Sequence, residues 1–169
     1  MHIREDNLVL SAQTIHNLCE GPLFEAVSVT RGCVPLISPF QQGKVHLQSG
    51  LTGGLSSCGY DVHVRDEYVL WPGQFTLAVT IEHFNFPDDL CGVLMDKSTL
   101  ARQGLAVQNT IAEPGWSGHL TLELSNHGKN RITIYGGQPI GQMVFHKLDH
   151  PTILPYVGKY QNQGADPQE

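Results

Sequence analysis

The chain has 169 residues, 40% of them hydrophobic, with ten Lys or Arg against sixteen Asp or Glu and a formal charge of −6. That length suits one domain over residues 1–169, with enough interior to need no disulfide or metal staple. The acidic balance excludes bulk nucleic-acid binding, which needs clustered cations, and no apolar run approaches the roughly 20 residues that span a bilayer.

Met1-His2-Ile3-Arg4-Glu5-Asp6 carries no signal-peptide pattern, so cytoplasmic residence without a membrane partner is the expectation. Ser11 is placed to cap a helix over Ala12–Cys19 that stops at Gly21. Residues 21–54, rich in Gly, Pro, Gln and Ser, read as loops with short strands. Cys19, Cys33, Cys58 and Cys91 are irregularly spaced with no C-x-x-C pair, which predicts reduced thiols packed as small hydrophobes. Tyr68–Trp71 reads as a strand ended by the Pro72-Gly73 turn. Beyond it Phe75, Leu77, Val79 and Ile81 alternate with Thr76, Ala78, Thr80 and Glu82, the pattern of a half-buried strand.

Lys97-Ser98-Thr99-Leu100-Ala101-Arg102 puts two cations and two hydroxyls on a short helical turn. The Glu113-Pro114-Gly115-Trp116-Ser117-Gly118 turn follows. Next comes a strand with Leu120, Leu122 and Leu124 on one face and His119, Thr121, Glu123 and Ser125 on the other. Arg131–Tyr135 is a further strand, and Ile140–Leu148 returns after Gly136-Gly137-Gln138-Pro139. Many short strands with eighteen glycines and ten prolines predict a mainly β fold, a barrel or jelly roll with one or two short helices. The polar tail after Gly158 is expected to be mobile when no ligand is bound. Glu123 is the natural general base, although an exposed strand glutamate would look the same. Ser98 and Arg102 read equally as a helix cap and a solvated helix residue.

Five segments in order resemble the dCTP deaminase family, a branch of the dUTPase-like fold. They are Ser56-Ser57-Cys58-Gly59-Tyr60-Asp61, Lys97–Arg102, Glu113–Gly118, Leu122-Glu123-Leu124 and Tyr156–Gln163. The resemblance runs from about Gly54 to Gln163 and implies a distorted β-barrel or jelly roll. It implies hydrolysis of dCTP to dUTP and ammonia, a step toward dUMP and dTTP synthesis, on a homotrimer with sites shared between subunits. It further implies Glu123 as acid–base, Arg102 as its partner and Ser98 as the positioner of water or substrate. Lys97, Thr99, Glu113, Thr121, Tyr156, Lys159 and Gln163 become substrate contacts, the last ones through a tail that closes over the triphosphate. Lys97 stands where the family has arginine, and Glu113 where it has aspartate. The connection from Arg102 to Glu113 is shorter than in the family's bacterial members. Gln108-Asn109-Thr110-Ile111-Ala112 there replaces a segment that contacts the pyrimidine and the attacking water.

Mg²⁺ is expected as the counter-ion of the triphosphate and not in a protein cage. Zinc is not expected, because neither H-x-E nor P-C-x-x-C occurs and the nine histidines show no ligand spacing with the cysteines. The expected ligands are dCTP, with dUTP and dTTP as related nucleotides. Two other readings stay open: a dUTPase or bifunctional deaminase–pyrophosphatase, in which the turn carboxylate aims water at phosphorus, and a non-catalytic nucleotide-binding regulatory module.

Overall fold

The computed structural model describes residues 8–21, 34–47 and 49–167. In chain order its elements are α1 (Ala12–Glu20), β1 (Ile37–Ser38), β2 (Val45–His46), β3 (Thr52–Ser56), β4 (Gly59–His63), β5 (Tyr68–Leu70) and β6 (Phe75–Asn85). They continue with β7 (Leu90–Asp96), α2 (Ser98–Ala101), β8 (Leu105–Gln108), β9 (Ile111–Ala112), β10 (Ser117–Asn126), β11 (Ile132–Ile134) and β12 (Pro139–Lys147). The fold is mainly β, as the sequence predicts.

Strands pair as β1-β6-β10-β8, as β2-β3-β4-β12-β7-β9, and as a short β5-β11 ribbon. All pairings between these strands are antiparallel, so each face can separate buried from wet side chains. Among the described residues the sheets do not join into one closed hydrogen-bonded barrel. Among the described residues one buried apolar cluster draws on both large sheets, including Val62, Phe84, Leu122, Leu124, Ile140 and Phe145.

Local chemistry explains the elements. The Ser11 side chain accepts from the Thr14 amide and Gly21 ends α1 with φ 90°, so the expected cap and stop are both present. The part of the expected 21–54 loop region over 22–33, with Cys33, lies outside the described residues. Cys19, Cys58 and Cys91 are free thiols, and burial pushes the Cys19 thiol up to about 12.

Three sequence expectations need correcting in detail. On β6 the deeper face is Ala78, Thr80, Glu82 and Phe84; Val79 is also buried, while Phe75 is exposed and Leu77 and Ile81 are half-buried. Polar groups can face inward because partners meet them there. The Glu82 carboxylate accepts from the His63 amide at 2.9 Å and lies 2.6 Å from His63 Nδ1, and Thr80 Oγ1 donates to Glu82 O and accepts from the Leu120 amide. On β10 the register shifts between His119 and Thr121, which takes Leu120 off the face of buried Leu122 and Leu124. At α2 the N-cap is Lys97, without a side-chain cap bond, so Ser98 is the first helical residue and not the cap.

Candidate functional site

Glu113-Pro114-Gly115-Trp116 forms a tight turn in which the Trp116 amide donates to Glu113 O at 3.1 Å. Proline presets the second position, and Gly115, at φ 84°, supplies the positive φ of the third. The turn delivers Trp116 inward, where it is buried against Phe86, and leaves the Glu113 carboxylate exposed. β10 then runs out of the turn with Thr121 and Glu123 on its open face. Glu123 sits opposite Leu77 of β6 and Gln108 of β8.

The tail is seated on this same turn. The Tyr156 amide donates to Pro114 O at 2.8 Å, and Trp116 Nε1 donates to Tyr160 O at 2.7 Å. The Gln161 side chain spans Gly115 O and the Ser117 amide. The Asn162 amide donates to Ser117 O and the His119 amide to Gln163 O, each at 2.9 Å, making a short parallel bridge between Gly118 and Gln163. Gln163 is buried, and its Nε2 donates to Thr121 Oγ1.

These segments enclose a cleft of about 820 Å³. Glu113, Thr121, Glu123, Tyr156 and Gln163 line it together, so five of the residues singled out in the sequence converge. Lys97, Ser98, Thr99, Arg102 and Lys159 are not in its lining. Ser98, Thr99 and Arg102 lie exposed on and beside α2, and Arg102 makes no ion pair among the described residues. Lys159 Nζ stands 5.1 Å from the centre of the Tyr160 ring. Lys97 Nζ is 2.8 Å from Asp61 Oδ2 and 3.3 Å from Thr52 Oγ1, with both charged side chains almost fully buried. This ties the start of α2 to β3 and β4. Asp96 Oδ1, which accepts from the Val107 amide, holds its other flank.

A cleft with two carboxylates and no Lys or Arg in its lining can orient a sugar, a base and a water molecule. It cannot by itself balance a polyphosphate. No group of three or more His, Cys, Asp or Glu stands together among the described residues.

Residues 60–148 match the dCTP deaminase-like family, about half of the chain. The chain belongs to that family. Its relatives include the dCTP deaminase of Campylobacter curvus, 34% identical over 160 residues that cover 76% of this chain and 86% of that one. The dUMP-forming dCTP deaminase of Mycobacterium ulcerans is 48% identical over 105 residues, covering 58% of this chain and 55% of that one. Among solved structures, the EIAV dUTPase superposes with a TM-score of 0.51 at 23% identity, over 60% of this chain and 84% of that one. That likeness bears out the expected dUTPase-like fold and nothing finer.

Several residues of this deaminase-like cleft escaped the sequence reading of the site. Trp116, Leu120 and Tyr160 give it an apolar wall. Asn109, within the Gln108–Ala112 segment that the resemblance marks as base-contacting, enters just after β8. Trp116 stood inside a recognised turn and was legible as a wall residue. Leu120 was not, because only the β10 bulge turns it toward the cleft. Among the described residues no helix is long and apolar enough to cross a membrane.

Proposed function

We propose that this chain hydrolyses dCTP to dUTP and ammonia, with Glu123 as the acid–base group. The observation that carries the reading is the placement of Glu123 in one cleft with Glu113, Thr121, Tyr156 and Gln163. Water adds to C4 of the cytosine as Glu123 takes one of its protons and delivers it to N3. Glu123 then takes the proton of the new C4 hydroxyl and hands it to the departing amine. C4 is left as a carbonyl and ammonia leaves, so one carboxylate moves two protons in sequence and returns to its starting state. Glu113 is suited to the deoxyribose hydroxyl or a nearby water, and Thr121 to the base. Tyr156 and Gln163 close the tail side, and Lys159 is assigned to the phosphates. Mg²⁺ travels with the triphosphate and offsets its charge.

The phosphate-binding groups missing from the cleft support a homotrimer in which a neighbouring copy brings Ser98, Thr99 and Arg102 to each Glu123. Exposed Ser98 and Arg102, and a cleft without cations, are what a shared site leaves on a single chain. Lys97 is assigned to the same anion-binding end, acting from its place on Asp61.

A second reading has its own support. The Mycobacterium ulcerans relative is named dUMP-forming, and Glu113 lines the same cleft as Glu123. A bifunctional enzyme would aim water at phosphorus through Glu113 after deamination. Assaying dCTP and dUTP turnover with ammonia and pyrophosphate read separately decides between them. Ammonia alone supports the deaminase, and both products support the bifunctional enzyme. No turnover of either nucleotide would leave the non-catalytic module standing and remove the proposal.

A further inference from the structure

We propose that the Thr80 hydroxyl is a positioning group for deamination: it fixes the bulge that aligns Glu123 with the part of the cleft that holds the nucleotide. The inference rests on the deaminase reading of the cleft. Thr80 is fully buried and lies outside the cleft lining, so it acts through β10 and not on the substrate.

Where β6 and β10 pair, His119 faces His83 and Thr121 faces Val79. Leu120 alone therefore stands opposite Thr80, Ile81 and Glu82. β6 leaves β10 there because it meets another segment: Thr80 bridges to Val64, and the Arg65 amide donates to Val79 O at 2.9 Å. A backbone amide at such a gap needs an acceptor. The Leu120 amide donates to Thr80 Oγ1 at 2.9 Å, and Thr80 Oγ1 donates to Glu82 O at 2.7 Å. One hydroxyl thus stands in for the missing ladder bond on both strands. Thr80 O in turn accepts from His119 Nδ1 at 3.2 Å.

The gap divides β10 into two parts. Before it, Ser117 and His119 hold the tail at Asn162 and Gln163, and the Glu113 turn leads straight in. After it come Thr121 and Glu123. A nucleotide gripped by the tail and the turn meets Glu123 only while the two parts keep their offset, and bulges beside active sites re-aim side chains in this way. Valine at position 80 would keep the shape of threonine and drop the hydroxyl, leaving the Leu120 amide and Glu82 O without that partner. β10 would then settle at a different offset, moving Glu123 relative to C4 while the tail contacts at Ser117 and His119 stay. A displacement of about 1 Å at a reacting group can cost on the order of 100-fold in rate.

The test compares Thr80→Val with Thr80→Ser, which keeps the hydroxyl, and with Ile134→Val, a trimmed core residue on β11 that does not line the cleft. Ammonia release from dCTP gives kcat and KM per folded protein, with the folded fraction read by circular dichroism and Tm by thermal unfolding. Thr80→Val should lower kcat by at least about tenfold while KM stays within about threefold of wild type. Thr80→Ser should keep kcat within about threefold of wild type, and Ile134→Val should lower Tm without changing kcat. If Thr80→Val does not fold, Thr80→Cys takes its place; its thiol is a weak donor and acceptor, and kcat should fall by at least about threefold at unchanged KM. A smaller loss of kcat in the variant that folds, a loss confined to KM, or an equal loss in Thr80→Ser overturns the inference. A wild-type protein that releases no ammonia from dCTP removes both the deaminase reading and this one. Ammonia release by wild type together with an undiminished kcat in Thr80→Val removes this one alone.

Discussion

Gly118→Ala tests how the tail is held. Gly118 has φ 148°, and a Cβ there would sit 2.7 Å from Gln163 N and 2.9 Å from both Gln163 O and Gln163 Cβ. Two of those three atoms are backbone, so no rotamer change relieves the contact and the tail must move. Displacing it breaks the Asn162 amide to Ser117 O and His119 amide to Gln163 O bonds. At about 0.5–1.5 kcal/mol each, the tail-opening equilibrium shifts by about 1–3 kcal/mol, a factor of about 5–150. Holding alanine in that conformation on β10 adds about 1–3 kcal/mol of strain. At about 2–4 °C per kcal/mol, strain of that size lowers Tm by about 2–12 °C. Trypsin cleavage after exposed Lys159, followed by mass spectrometry, reads tail opening, and calorimetry reads Tm. Cleavage at Lys159 should speed up by the factor above, and kcat/KM for dCTP should fall with it. Unchanged cleavage and unchanged kcat/KM would refute the docking argument.

Deleting residues 159–169 should reduce kcat/KM for dCTP while leaving Tm within a few degrees of wild type, since the buried cluster draws nothing from beyond Tyr156. Wild-type kcat/KM in the truncated protein would contradict a closing tail. Lys97→Met leaves buried Asp61 uncompensated and should cost about 3–5 kcal/mol by denaturant unfolding, with Lys97→Met/Asp61→Asn less unstable than the single variant. Equal stability of wild type and Lys97→Met would show that the pair does not anchor α2. Mixing Glu123→Gln with Arg102→Ala subunits tests the shared site. If one copy supplies Glu123 and its neighbour Arg102, random trimers hold both wild-type residues at about a quarter of their sites, and activity returns on mixing. Lack of recovery in confirmed mixed trimers would place both groups in one subunit.

Local rules in the sequence carried far in this protein. The α1 cap at Ser11, the Pro-Gly turn before Trp116 and the two-residue periodicity around Glu123 each follow from residues within a few positions of one another. What sequence could not reveal depends on distant partners. The inward turn of Thr80 and Glu82 requires the Leu120 amide and His63, 40 and 19 residues away. Alternation alone does not say which face of β6 is covered. Lys97 looked like a free phosphate-binding cation until Asp61 and Thr52 arrived from β4 and β3. The segment around Asn109 was marked by the resemblance, but that its Oδ1 is a buried acceptor without a donor becomes visible only when every neighbour is in place. That the Arg102 turn stands outside the cleft lining is likewise visible only once the chain is folded.

The central claim is that Glu123 moves the protons of dCTP deamination. Glu123→Gln keeps the size and much of the hydrogen bonding of the side chain while removing its ability to take a proton. On one preparation, ammonia release from dCTP and calorimetric dCTP affinity should be measured together. Affinity should stay close to wild type while the rate drops by about 10²–10⁴-fold, toward the upper end because two transfers use the same group. A Glu123→Gln protein that releases ammonia within about tenfold of the wild-type rate would contradict the account, since a lost general acid–base costs more than that.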